Sequence, residues 1–125
     1  DDFSNSKPEV LGYIKDITGK DVKFYEFNIL DEKKTEQVFI ENEIDAVIHF
    51  AASSLVGESM SDPAKYYVNN VEGSLHLLQA MKEAGVDYIV FSSTAAVYGE
   101  PEKNADLRGF SDSAYQCLRA YKTCY

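Results

Sequence analysis

Hydrophobic positions along the chain fall into two alternating rhythms. Val10, Ile14 and Ile17 lie three or four residues apart and predict a helix, with Ser6 and Glu9 as its capping box and Gly19 as its stop. Val22 to Phe27 alternates and is rich in aromatic residues, which predicts a strand. Asn28 to Asp31 then reads as a turn, and Asp31 as the N-cap of a helix running to about Asn42. Ala46 to Phe50 is almost wholly apolar, the pattern of a strand buried on both faces. Asp62 and Pro63 open the longest helix, because Asp caps a helix and Pro fits its first turn. Its apolar stripe is expected to be Ala64, Tyr67, Val68, Val71, Leu75, Leu78 and Met81, and Gly85 closes it. Tyr88 to Phe91 is the next buried strand.

The order helix, strand, helix, strand, helix, strand predicts an α/β fold. Short apolar strands separated by amphipathic helices imply a parallel, doubly wound sheet of Rossmann type, joined by right-handed crossovers. Repeats, linkers and low-complexity tracts are absent from the sequence. Residues 1–103 read as part of one such domain. After Lys103 the pattern weakens, and residues 104–125 form an atypical tail.

Composition narrows the function classes. The 125 residues carry 21 acids against 12 bases, a net charge of −9, and the bases form no stripe. Duplex nucleic acid and anionic membrane are therefore not expected as partners. A small anionic cofactor remains compatible, because backbone N–H groups and helix N-termini bind phosphate locally. Cys117 and Cys124 form neither a zinc pattern nor a disulfide framework, so reduced thiols in a cytoplasmic protein are expected and no metal site is. The sequence shows neither a signal peptide nor a long apolar run, so neither secretion nor a membrane span is expected.

In a doubly wound sheet, ligands bind outside the carboxyl ends of the strands. Three segments fall there: Asn28-Ile29, Ala51-Ala52-Ser53-Ser54 and Ser92-Ser93-Thr94. Each taken singly reads first as an ordinary turn whose hydroxyls bond their own backbone. Together, on one sheet edge, they mark a binding site in which small residues let a flat ligand approach the main chain. His49 lies inside a strand and reads as a core histidine rather than a base. Tyr98 reads equally as a packed aromatic or a substrate contact.

Three further segments carry a resemblance. Val47 to Ser59 (VIHFAASSLVGES), Pro63 to Met81 (PAKYYVNNVEGSLHLLQAM) and Phe91 to Lys103 (FSSTAAVYGEPEK) are similar to the UDP-glucose (UDP-galactose) 4-epimerases of the extended short-chain dehydrogenase/reductase family. Asp1 to Leu11 resembles the segment after that family's second strand, where Asp-Asn-Leu and then Ser-Asn-Ser are usual. The resemblance implies an NAD cofactor, a UDP-galactose or UDP-glucose substrate and a homodimer. It implies that Asp1 holds the adenosine ribose, with Asn5 and Ser6 near the adenosine phosphate. Asn28 and Ile29 would lie beside the adenine, where Asp-Ile is usual. Phe50, Ala51 and Ala52 would pass under the cofactor, with Ser54 near the nicotinamide, Asn69 touching the cofactor from below and Ser92 a further cofactor contact. Thr94 matches the catalytic Ser/Thr, which bonds the sugar 4-hydroxyl and relays a proton to a tyrosine while hydride leaves C4 and returns to the other face.

The chain also departs from the family. Its seven glycines nowhere form the phosphate-cradling turn, so the sequence is expected to be an internal fragment lacking the first βα unit. A Tyr-x-x-x-Lys is missing: Tyr115, the candidate catalytic tyrosine, has Arg119 one turn on, and a guanidinium is no geometric substitute for an ammonium. The break in resemblance after Lys103 is expected to reflect a frameshift. Two alternatives stand beside the epimerase: another NAD-dependent sugar-nucleotide epimerase or dehydratase, and a non-catalytic Rossmann remnant. Ala95-Ala96 after Thr94 favours the epimerase, since a dehydratase would carry Asp-Glu there.

Overall fold

A computed structural model describes residues 1–93. Helix α1 (Glu9–Thr18) leads to α2 (Glu32–Glu41) and then to strand β1 (Ala46–His49). Two short helices follow, α3 (Val56–Ser61) and α4 (Pro63–Tyr67). A π-helical turn (Val68–Glu72) then runs into α5 (Gly73–Ala84), and β2 (Tyr88–Phe91) closes the series. β1 and β2 pair in parallel, Ala46 opposite Tyr88 and His49 opposite Phe91, so the helices between them form one βαβ crossover. The Ser92 N–H continues the ladder by donating to the His49 carbonyl at 3.1 Å.

Helix ends follow the local chemistry. Gly19 and Gly85 adopt left-handed φ of 68° and 71°, which terminates α1 and α5 at low steric cost. The Asp31 and Asp62 carboxylates accept from the N–H groups of Lys34 (3.1 Å) and Lys65 (3.2 Å). Ser6 does not cap α1. Its hydroxyl instead donates to Asp1 Oδ1 at 2.7 Å, and Pro8 occupies the N-cap.

The core lies between α2, α5 and the sheet. Phe39, Leu77, Ala80 and Met81 are buried and packed by Ile29, Ile44, Val47 and Val86. Of the expected stripe Met81 is buried and Val71 is half-buried against Tyr66, but the rest of the inward face is not the one expected. Leu75 is 55% exposed and Val68 44%, while Asn70, Gly73, Ser74 and Leu77 face inward. Residues this small let the helix come close to its neighbours. An ideal Cβ at Gly73 would stand 2.7 Å from Ile29 Cγ2.

Neither strand is buried on both faces. Ile48 is 63% and Val90 62% exposed, because among the described residues helices cover only one side of this two-stranded sheet. Nor does Val22 to Phe27 form a regular strand. One rung is made: the Asp1 nitrogen donates to the Tyr25 carbonyl (3.3 Å), and the Asp1 carbonyl accepts from the Phe27 N–H (3.2 Å). Two bonds straddling Glu26 are the pattern of a parallel ladder, and among the described residues the chain offers that segment no further rung. Its side chains are held instead by α2, where Lys23 Nζ donates to Asn42 Oδ1 (2.6 Å) and Tyr25 OH to Glu41 (3.1 Å).

Candidate functional site at the strand ends

An open cleft of about 1020 Å³ lies where the chain leaves β1 and the Val22–Phe27 segment. Asp1, Asp2, Ser4, Asn5 and Ser6 form one wall. A tight turn there puts Phe3 at φ 55°, a left-handed conformation held by the Phe3 N–H donating to Asp1 Oδ1 (2.7 Å) and by stacking on Phe24 (4.9 Å). Asp1 Oδ1 thus accepts two bonds, from Phe3 and Ser6, while among the described residues Oδ2 accepts none. Asn28 and Ile29 form the adjoining rim. The Asn28 amide donates to Asp2 Oδ2 (2.6 Å), and its own oxygen caps the turn by accepting from the Leu30 N–H. The Asp2 carboxyl is held below its ordinary value, chiefly by hydrogen bonds from Ser4 and further by Asn28.

The floor is the loop after β1. Phe50, Ala51, Ala52 and Ser54 line the cleft, and Asn69 faces them from the π turn. Asn70, next to it, grips the loop: the Ser53 N–H donates to Asn70 Oδ1 (2.8 Å) and Asn70 Nδ2 donates to the Ser53 carbonyl (3.0 Å). Asn69 Nδ2 donates to the same Asn70 oxygen. Behind them, Ser74 Oγ donates to the Asn70 carbonyl (2.6 Å), which spends its only proton. The 2.8 Å contact between Ser74 Oγ and His49 Nε2 therefore requires the histidine to donate from Nε2. His49 is the core residue expected, 5% exposed and tied to the helix behind the site.

The far wall belongs to α3 and α4. Glu58 accepts from Lys65 Nζ and from the hydroxyl of the fully buried Tyr66, both at 2.6 Å. These bonds, that from Lys65 first, hold the Glu58 carboxyl below its ordinary value, and Glu58 in turn raises Lys65.

The structure thus brings together ten sequence-expected residues: Asp1, Asn5 and Ser6 on one wall, Asn28 and Ile29 on the rim, and Phe50, Ala51, Ala52, Ser54 and Asn69 on the floor. Ser92 stands half-buried beyond β2 and is not among the residues lining the cleft. Thr94, Tyr98, Tyr115 and the whole tail lie outside the described residues. Sequence reasoning missed Asp2, Asn70 and the Glu58–Lys65–Tyr66 cluster. The doubled Asn69-Asn70 was the signal available for the second. Nothing local announced the others.

Residues 3–124 match the model of the NAD dependent epimerase/dehydratase family. The chain belongs to that family. It is 55% identical over 110 residues to UDP-glucose 4-epimerase of Bacillus subtilis, covering 88% of this chain and 32% of that protein. The Haemophilus influenzae UDP-glucose 4-epimerase is 54% identical over 102 residues, covering 82% and 30%. Among solved structures, UDP-glucose 4-epimerase from Bifidobacterium longum in complex with NAD⁺ and UDP superposes with a TM-score of 0.92 at 41% identity, covering 99% of this chain and 37% of that one. The chain therefore spans about a third of the length of these relatives, and its α/β architecture is a part of their Rossmann-type fold.

Proposed function

We propose that the chain is the part of a UDP-galactose/UDP-glucose 4-epimerase that binds the adenosine half of NAD. The observation that carries the reading is the Asp1 carboxylate. It stands beside the end of a parallel rung, with Oδ1 fixed by Ser6 and Phe3 and Oδ2 left for the paired hydroxyls of a ribose. The residues at that end fit a nucleoside. Small residues at Ala51 and Ala52 let a flat group lie on the backbone, and the Asn70 clamp keeps the Ser53 peptide from moving under it.

The cofactor, when bound, supplies a reversible hydride acceptor for the sugar carbon. The chain's own share of the reaction is positional. Asp1, Asn5 and Ser6 would hold the adenosine side, and Phe50, Ala52, Ser54 and Asn69 the span toward the nicotinamide, with Ser92 a further contact beyond β2. Thr94 would bond the sugar 4-hydroxyl and pass its proton to a tyrosine, with Tyr115 the candidate within this sequence. Substrate is a UDP-hexose and the protein cytoplasmic; among the described residues no helix is long and apolar enough to cross a membrane. A homodimer is supported by the exposed apolar side of the Pro63–Ala84 helical run, where Val68, Leu75 and Leu78 stand outward.

The test is interconversion of UDP-galactose and UDP-glucose with NAD present. Thr94→Ala should lower the rate by about 10²-fold or more, in the range of a lost proton-transfer group. Unchanged turnover would remove Thr94 from the relay.

A further inference from the structure

Asp2 and Asn28 meet across the rim at the adenosine end of the cleft, and each side chain has one polar atom already committed. Asp2 Oδ1 accepts from the Ser4 N–H at 3.0 Å, and Asn28 Oδ1 accepts from the Leu30 N–H at 2.9 Å. A backbone N–H can only donate, so both committed atoms must be oxygens. The remaining two atoms face each other, and there Asn28 Nδ2 donates to Asp2 Oδ2 at 2.6 Å in a half-buried setting. Two acids would set oxygen against oxygen at this contact. Two amides would set N–H against N–H. One acid with one amide satisfies all three bonds, and does so in either order.

We propose that Asp2 and Asn28 are a matched acid–amide pair that shapes the adenosine end of the cleft, in which one carboxylate and one amide are required but their order is free. The inference rests on the NAD reading above and names a further determinant of that same site. Asp1 directly precedes one partner and Ile29 directly follows the other, so a mismatch at the pair displaces both the ribose-holding carboxylate and the rim beside it.

The experiment compares four full-length chains: unaltered, Asp2→Asn, Asn28→Asp, and the double exchange. Each is followed by its urea unfolding midpoint and by titration with NAD. Asn28→Asp keeps the acceptor for the Leu30 N–H, and Asp2→Asn keeps an acceptor for the Ser4 N–H, so each single change bears first on the facing atoms. Each should lower the midpoint and weaken NAD about tenfold, the scale of one lost and mismatched hydrogen bond. The double exchange should return the unfolding midpoint to that of the unaltered chain and recover most of the NAD affinity lost in the single changes. A double exchange no better than the worse single change would overturn the proposal. If the unaltered chain takes no NAD, the cofactor reading falls, while the midpoints still decide whether the pair is matched.

Discussion

Asn70 holds the peptide of Ser53 by both ends of its side chain, accepting from the N–H at 2.8 Å and donating to the carbonyl at 3.0 Å. A carboxamide used in this way imitates a strand neighbour. It fixes a loop residue beyond the reach of the β1–β2 ladder, at the point where the cleft needs a firm floor. Asn70 sits in the π turn, and Ser74 and His49 back it from the helix and the strand.

Replacing Asn70 tests that clamp. The residue is 4% exposed, so Asn70→Ala removes both buried bonds to the Ser53 peptide and should cost about 2 kcal/mol of unfolding free energy. Asn70→Asp keeps the acceptor but opposes the Ser53 carbonyl with an oxygen, and should cost at least as much. Urea denaturation followed by circular dichroism gives both values. Losses below a few tenths of a kcal/mol would show that the loop holds itself.

Gly73 makes a sharper case because two effects compete in sign. In an isolated helix Gly→Ala gains up to about 1 kcal/mol. Here the new methyl would stand 2.7 Å from Ile29 Cγ2 and 3.8 Å from its Cβ, so Ile29 must move with the rim that carries it. Overpacking typically costs about 1–3 kcal/mol, so a net loss is expected. A Gly73→Ala chain more stable than the unaltered one would mean that Ile29 yields freely.

The response to acid follows from two carboxyls. Asp2 and Glu58 are both held below their ordinary values of 3.8 and 4.5, Asp2 mainly by Ser4 and Glu58 mainly by Lys65. A depressed folded value means that ionisation favours the folded state above the unfolded value. That contribution is lost as pH falls through the folded value. Stability should therefore be flat above about pH 5 and fall below it, and Asp2→Asn should flatten the fall even though its starting midpoint is lower. Unfolding midpoints measured between pH 6 and 3 give the slopes. Parallel slopes in the two chains would remove Asp2 from the account.

Much of this was legible in the sequence, for reasons visible in single residues. Gly19, Gly85, Asp31 and Asp62 act locally, through φ or through one capping bond, and each stands where its chemistry placed it. The two short strands and their parallel order followed from apolar runs spaced by a helical stretch. The burial of α5 was not legible, because the Pro63–Ala84 run has apolar residues on two sides. One side, with Tyr67, Val68, Leu75 and Leu78, faces outward, while the other buries Tyr66, Leu77 and Met81 together with Asn70, Gly73 and Ser74, where it must come close. Val22 to Phe27 has the alternation of a strand, yet a ladder needs a partner, and periodicity says nothing of what lies alongside. The clustering of strand-end residues was foreseen from topology. Contacts such as Asp2 with Asn28, 26 positions apart, are set by the fold and leave no local trace.

The central claim is that the strand-end cleft binds the adenosine half of NAD, and its most direct test is an NAD titration followed by amide ¹H–¹⁵N NMR. The account predicts saturable shifts centred on Asp2–Ser6, Asn28–Leu30, the 50–54 loop and Asn69, with a smaller shift at Ser92 and α1 unmoved. Shifts centred on α1, or none at millimolar NAD, would contradict it.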